Sequence, residues 1–281
     1  MELKEHPDRL TIDEYMAESS HCLFRQELDT PCHLHWHEFY ELTYVRSGNG
    51  VNRVNGTDIP IGEGTLFLLT PADFHEIRPL EASTLKIYNL IFKESMISEE
   101  IRTLLFNGRM LSPMLMKLED RRAGELFAIL DEEDSRSSRT GELIVRNLLG
   151  CLLLMLCRDE KDAIRGEASA APLHPSIQQA LFYLQHRFRE PLTLSQAAKA
   201  ASLSPNYFSE CFRQQLGVSF QQHPLDLRLE FSRSLLQASS LPVSEICYAS
   251  GFNTLTHFEK MYKRKYGHPP SRSRRVQVAG A

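Results

Sequence analysis

Tryptophan occurs once in 281 residues and cysteine six times, with no paired spacing among the six. The absence of any Cys-x-x-Cys couple excludes a zinc ribbon and a dense disulfide framework. Cys22, Cys32, Cys151, Cys157, Cys211 and Cys247 therefore read as buried, reduced thiols that pack as small hydrophobes. No apolar run approaches the roughly 20 residues needed to span a bilayer. The opening Met-Glu-Leu-Lys-Glu-His-Pro lacks the basic-then-apolar order of a secretion signal. These absences predict a cytoplasmic chain with no membrane partner.

Net charge is also small, −4, but the total hides an asymmetry. From Leu173 onward there are 13 Lys and Arg against 6 Asp and Glu, while the preceding residues hold 19 against 30. A basic half suits a polyanionic partner. Between the halves, Asp159 to Pro175 passes from charged to small residues without an apolar period, the composition of an exposed linker. The expected domains are thus 1–158 and 176–281, each long enough to bury a core.

The basic half carries one pattern twice. Leu192-Thr193-Leu194, Ala197-Ala198 and Leu203-Ser204-Pro205 lead to Phe208-x3-Phe212-x4-Gly217. Fifty residues on, Val243 to Ile246 and Gly251-Phe252 lead to Phe258-x3-Tyr262-x4-Gly267. Each copy reads as a helix-turn-helix. Thr193 caps a short helix, Ser204 caps the next with Pro205 at its first position, and Gly217 stops it in a left-handed conformation. Phe208, Cys211 and Phe212 fall at i, i+3 and i+4 and face inward, which turns Asn206, Ser209, Glu210 and Arg213 outward. In the second copy Phe258 and Tyr262 face inward, while Thr256, Glu259, Lys260 and Lys263 face out. Ser204 and Thr254, at the two helix starts, complete the predicted DNA-facing set. Lys260, Lys263, Arg264, Lys265, Arg272, Arg274 and Arg275 crowd the end of the chain, as phosphate contact requires. Leu225 to Gln237 has the spacing of a rigid connecting helix, which would hold the two outward faces about one DNA turn apart, roughly 34 Å.

At these residues the chain resembles the AraC-type bacterial transcription regulators. The family's closing pattern is matched by Gly251, Phe252, Phe258, Tyr262, Gly267, Pro270 and Arg274. The resemblance implies two helix-turn-helix units that bind double-stranded DNA, a barrel that senses a small-molecule effector, and RNA polymerase as a partner. Two positions depart from the family. Pro224 stands near the start of the connecting helix, where any helix beginning earlier would be broken by it. Ser273 replaces an aromatic, which predicts looser packing of the last helix.

The acidic half begins as β-structure. Strands over Phe39–Val45, Val51–Val54, Thr65–Leu69 and Lys86–Phe92 are separated by turns, with Asn55-Gly56 as a two-residue hairpin, so a closed sandwich or barrel is expected. His35-x-His37-x3-Glu41, with Gly64-x6-Pro71-x3-His75, resembles the two motifs of the cupin barrels, in which such a set can converge on one divalent metal. Alternation places His35, His37, Phe39 and Glu41 on one face of a strand. Three readings stand: an effector pocket without metal, a metal-assisted site, and structural histidines with Glu41 paired to Arg46 or Arg53. Trp36 or Tyr44 would suit stacking on a sugar, or barrel core. From Lys93 the period becomes helical, over Ser98–Phe106, Arg121–Glu133 and Arg139–Arg158. The last of these is apolar nearly all round through Leu148–Leu156, which predicts a homodimer formed by an antiparallel helix pair, with burial against the two preceding helices of the same chain as the alternative.

The expected fold class is therefore α+β in two domains, a cupin-like barrel followed by helices and then an all-α double helix-turn-helix. The expected function is a sequence-specific transcription regulator, an activator, with His35, His37, Glu41 and His75 binding an effector such as a sugar. No cofactor and no catalysis are expected. A cupin metalloenzyme with an appended DNA-binding unit and a ligand-independent regulator stay open as alternatives.

Overall fold

The computed structural model describes residues 8–81, 83–105, 114–117, 122–136, 138–164 and 173–274. The chain divides into two units, Met1–Pro172 and Leu173–Ala281.

In the first unit the chain runs through β1 (Asp8–Leu10), α1 (Ile12–Met16), β2 (His21–Leu28), β3 (Cys32–His37), β4 (Tyr40–Ser47), β5 (Asn49–Val54), β6 (Thr57–Gly62), β7 (Thr65–Leu69), β8 (Phe74–Pro79), β9 (Leu85–Phe92) and β10 (Met114–Lys117). They form two five-stranded sheets, β1-β3-β8-β5-β6 and β10-β7-β4-β9-β2. Asn55 and Gly56, with φ of 51° and 84°, make the tight β5–β6 turn that their sequence predicts, since both positions need positive φ. Pro60 is tolerated because β6 is an edge strand. Every residue of β7 is buried, and Val45, Phe67, Leu69 and Ile87 share one core cluster.

Helices α2 (Glu99–Leu105), α3 (Arg122–Asp134) and α4 (Arg139–Ile164) complete this unit. Phe127 of α3 stacks on Tyr44 and Tyr88 at 5.7 and 5.6 Å between ring centroids, which seats α3 on the second sheet. Tyr44 is thus packing, as is Trp36 at 8 % exposure; neither lines the cavity described below.

Helix α4 departs from expectation in three ways. It continues to Ile164, so residues 159–164 extend the helix instead of opening the linker; Glu, Lys and Ala there are good helix formers. The rest of the expected linker through 172 lies outside the described residues. Over Arg139–Arg158 its mean hydropathy of 1.6 makes α4 long and apolar enough to cross a membrane by length and composition, contrary to the reading of its runs. Its burial is one-sided: Val145, Leu149, Leu152, Leu153 and Leu156 are buried, whereas Leu143 and Leu154 remain exposed. The cysteines also differ, with Cys157 and Cys247 buried, Cys151 exposed and the other three between.

The second unit is all helical: α5 (Pro175–Arg187), α6 (Leu194–Ala200), α7 (Pro205–Leu216), α8 (Gln222–Ala238), α9 (Val243–Ala249) and α10 (Leu255–Tyr266), closed by a 3-10 turn at Pro270–Ser273. Thr193 accepts from the Gln196 amide while the Gln196 side chain accepts from the Thr193 amide, a complete capping box. Ser204 holds the cap position without a side-chain hydrogen bond, a correction to its predicted role. Gly217 and Gly267 end α7 and α10 at φ of 71° and 78°. Ala197, Ala198, Phe208 and Phe212 are fully buried in one cluster, and the small alanines let α6 approach α7 closely.

The connecting helix α8 begins two residues before Pro224 without breaking. Pro224 lies in its first turn, where the missing N–H is among those with no intrahelical partner. Arg228 of α8 donates to the carbonyls of Phe188 (2.5 Å) and Glu190 (2.7 Å), tying α8 to the end of α5. Ser273 accepts from the Tyr262 hydroxyl at 2.6 Å, so the position without an aromatic gains a polar contact.

Candidate functional site

The two helix-turn-helix units present α7 and α10. On α7 the predicted residues Ser204, Asn206, Ser209, Glu210 and Arg213 are all exposed. Asn206, Ser209, Glu210 and Arg213 line one shallow groove with Leu194 and Gln214. The Gln214 amide donates to Glu210 at 3.3 Å, a partner one turn further along that the repeat pattern passed over. On α10 Thr254, Thr256, Glu259, Lys260 and Lys263 are likewise exposed. Thr254 additionally caps the helix by accepting from the His257 amide at 3.3 Å.

The basic cluster at the end of the chain is less uniform than its sequence. Lys265 is held by Asp226 at 2.9 Å and Glu230 at 3.0 Å, both on α8. Arg274 donates to the carbonyls of Ser240 and Leu241. Both cations serve the packing of α10 and the closing turn against α8, which corrects their assignment to phosphate. Arg275 lies outside the described residues. Lys260, Lys263 and Arg264 stay exposed on the outer face.

The second site lies between the sheets of the first unit. His35 and His37 come from β3, His75 from β8 and Glu41 from β4, so the chain changes sheet between His37 and Tyr40. Glu41 does not share one strand face with His35 and His37 as alternation predicts; the set meets because β3 pairs with β8, setting His35 opposite His75, while Glu41 comes from β4 of the other sheet. All four are buried, His37 completely. His37 Nε2 and His75 Nε2 each stand 3.8 Å from the Glu41 carboxylate, and the His35 and His75 rings are 4.2 Å apart. Nδ1 of His35 donates to the His33 carbonyl at 2.8 Å, and Nδ1 of His37 to the Phe39 carbonyl at 2.7 Å.

Burial pushes the Glu41 carboxyl up to about 7, opposed by hydrogen bonds from Thr43 and Asn89. Burial drives His75 well below the ordinary imidazole value, helped by the neighbouring His35 and His37. The structure excludes the pairing of Glu41 with Arg46 or Arg53. Arg53 bonds Asp58 at 2.6 Å, and Arg46 lies over the Tyr88 ring at 4.7 Å. Asn89 was missed by motif reading, although a lone amide in the apolar run Ile87–Phe92 marks it.

A cavity of about 350 Å³ opens beside this cluster and is lined by His35, Glu41 and His75. Its walls include Leu10, Phe24, Phe39 and Ile91, with Tyr15, Gln26 and Asn89 as further polar groups. A chamber lined by apolar side chains and several polar groups can orient a small ligand.

Both units are similar to known protein domains. A model of the AraC-like ligand binding domain matches residues 21–149, and a helix-turn-helix domain model matches residues 197–275. The chain is 26 % identical over 254 residues to the HTH-type transcriptional activator RhaR of Escherichia coli (strain K12), covering 86 % of each. It is 23 % identical over 242 residues to the uncharacterized HTH-type transcriptional regulator YfiF of Bacillus subtilis (strain 168), covering 84 % of this chain and 77 % of that one. Among solved structures, the C-terminal domain of AraT, a response regulator from Geobacillus stearothermophilus, is 31 % identical over 39 % of this chain and 93 % of that chain, with a TM-score of 0.37. With an AraC-like ligand-binding domain followed by a helix-turn-helix domain, the chain belongs to the AraC-type transcription regulators.

Proposed function

We propose that this regulator is a sequence-specific activator that reads two successive major grooves and responds to an effector held in the N-terminal cavity. The observation that carries the DNA reading is the duplicated helix face: the predicted contact residues of both α7 and α10 are exposed, and their aromatic partners Phe208, Phe212, Phe258 and Tyr262 are fully buried. In this reading Asn206 suits adenine, Glu210 accepts from cytosine N4, and Arg213 or Lys260 donates to guanine. Lys263 and Arg264 neutralise phosphates and add salt dependence without sequence preference.

The effector would sit in the cavity against His35, Glu41 and His75, whereas His37, predicted to bind it, is fully buried and does not line the cavity. The walls mix Leu10, Phe24, Phe39 and Ile91 with Tyr15, Gln26, His33 and Asn89, which suits a small molecule with both polar and hydrocarbon parts, such as a sugar or a small acid. To act as a switch, the ligand must bind one conformational state more tightly than another. The exposed Leu143, Cys151 and Leu154 of α4, at i, i+8 and i+11, form a stripe that a second copy could cover in a homodimer. RNA polymerase is the expected partner of an activator.

Selection of bound DNA from a random pool, followed by anisotropy titration with and without candidate sugars and acids, tests the reading. Enrichment of a motif with two half-sites and a ligand-dependent change in affinity are expected. Binding that ignores sequence would overturn the DNA reading, and affinity unmoved by every ligand that binds the cavity would overturn the switch.

A further inference from the structure

The lining of the cavity in the first unit is unbalanced in charge. Among the described residues Glu41 is its only acidic side chain, and neither lysine nor arginine lines it. The carboxylate accepts from the Thr43 hydroxyl at 3.2 Å and from the Asn89 side chain, both neutral donors. His75 Nε2, at 3.8 Å, stands beyond hydrogen-bond reach. An acidic ligand would thus enter beside a carboxylate with no cation to meet it, whereas a positively charged one would find a counter-charge in a site of low polarity.

Donors and acceptors are unbalanced in the same sense. Because the Asn89 amide nitrogen is given to Glu41, its oxygen Oδ1 is left to accept, and that buried atom has no hydrogen-bond partner among the described residues. The two ring nitrogens of His75 are in the same condition, and in the neutral ring one of them carries a lone pair. Buried polar atoms of this kind cost stability unless a partner reaches them. A carboxylate ligand brings only more acceptors, and a hydroxyl brings a single donor. A primary ammonium brings three donors and no acceptor. Aromatic faces lie close by. Tyr15 stands 6.4 Å from Phe24 at 81° and 5.8 Å from Phe39 at 56°, and all three line the cavity. Phe24 is also the cross-strand partner of Asn89, which sets a ring beside the amide. Rings inclined to one another in this way cover hydrocarbon and attract positive charge through their faces.

We propose that the cavity takes a small organic cation, a protonated primary or secondary amine, whose N–H groups bond the Glu41 carboxylate, Asn89 Oδ1 and His75 while its carbon skeleton lies against Tyr15, Phe24 and Phe39. The proposal rests on the reading of the cavity as the effector site and narrows it. The head group selects the ligand: an aliphatic amine or an amino sugar is accepted, and the alcohol or acid built on the same body is discriminated against.

The test is a calorimetric and thermal-shift titration of the full-length protein with two matched sets. One is cyclohexylamine, cyclohexanol and cyclohexanecarboxylate; the other is glucosamine, glucose and gluconate. Within at least one set the amine is expected to bind about 10-fold more tightly than its alcohol and its acid, the size of one good charge-assisted contact. Glu41→Gln keeps the shape of the side chain and should erase that preference while leaving binding of the neutral compound within about twofold. The comparison within the wild-type protein stands by itself if the variant misfolds. An acid or alcohol that binds more tightly than its amine overturns the cation and leaves the effector reading standing. No saturable binding by either amine, or a preference that survives in folded Glu41→Gln, overturns it as well. DNA affinity is then measured with the bound amine present: preferential binding that leaves DNA affinity unmoved supports the cation site and sinks the effector reading alone.

Discussion

Lys265 on α10 and Asp226 on α8 approach to 2.9 Å, and Glu230 joins them from one turn further along α8. The lysine sits in the most basic stretch of the chain yet spends its charge on the connecting helix. Lys265→Met is therefore expected to leave the salt slope of DNA binding unchanged. Lys263→Ala, on the exposed face, should weaken all sequences alike and lower that slope by about 1. Anisotropy titrations at several salt concentrations decide this, and an equal loss of slope in both variants would refute the division of labour.

Glu210 shares its groove with Asn206 and Arg213. Replacing it by alanine should relax the preference at one base pair, by about 1–3 kcal/mol of discrimination, while total affinity for other sequences changes little. Selection experiments on the variant read this directly. Unchanged preference at every position would remove Glu210 from the reading face.

Gly217 and Gly251 both have positive φ, 71° and 84°, but their surroundings differ. A Cβ at Gly217 meets nothing within 4 Å, whereas one at Gly251 would stand 2.5 Å from the Arg189 carbonyl oxygen and 2.6 Å from its Cα. Gly217→Ala should cost about 1–2 kcal/mol, the left-handed penalty alone. Gly251→Ala should cost at least about twice that, because backbone must shift. Denaturant unfolding of the two variants provides the comparison, and equal losses would show the Arg189 contact to be yielding.

His223 is 5 % exposed and packs against Phe212. Burial holds its pKa below the ordinary value, Lys265 adding to this while Asp226 and Glu230 oppose it. As pH falls below about 6.5 the unfolded chain takes up a proton that the folded one refuses, so this residue lowers stability on acidification and has no effect well above that pH. His223→Phe should flatten the loss of Tm of the second unit between pH 7.5 and 5. An identical pH profile in the variant would assign the acid sensitivity elsewhere.

The helical unit was legible because its signals are local. Phe208-x3-Phe212-x4-Gly217 and its copy place core, outer face and stop signal within one helix. The strands were legible from their turns, Asn55-Gly56 above all. What the sequence hides is pairing at long range: β1 joins β3 in parallel, and His35 reaches His75 only through the β3–β8 register. The two motifs therefore bring these four residues together, but alternation puts His35, His37 and Glu41 on one strand face where the structure splits them between β3 and β4 of different sheets. The roles of Lys265 and Arg274 were illegible for the same reason, since their acceptors lie more than 30 residues away.

Arg228 leaves the middle of α8 to hold the carbonyls at the end of α5, and Gly251 of the second unit's turn packs on Arg189 in that same segment. The duplication written in the spacing thus describes ancestry rather than autonomy. Cutting the chain within α8 would part the Gly251 turn from the Arg189 backbone it packs on, so neither copy is a spare part that could be transplanted alone.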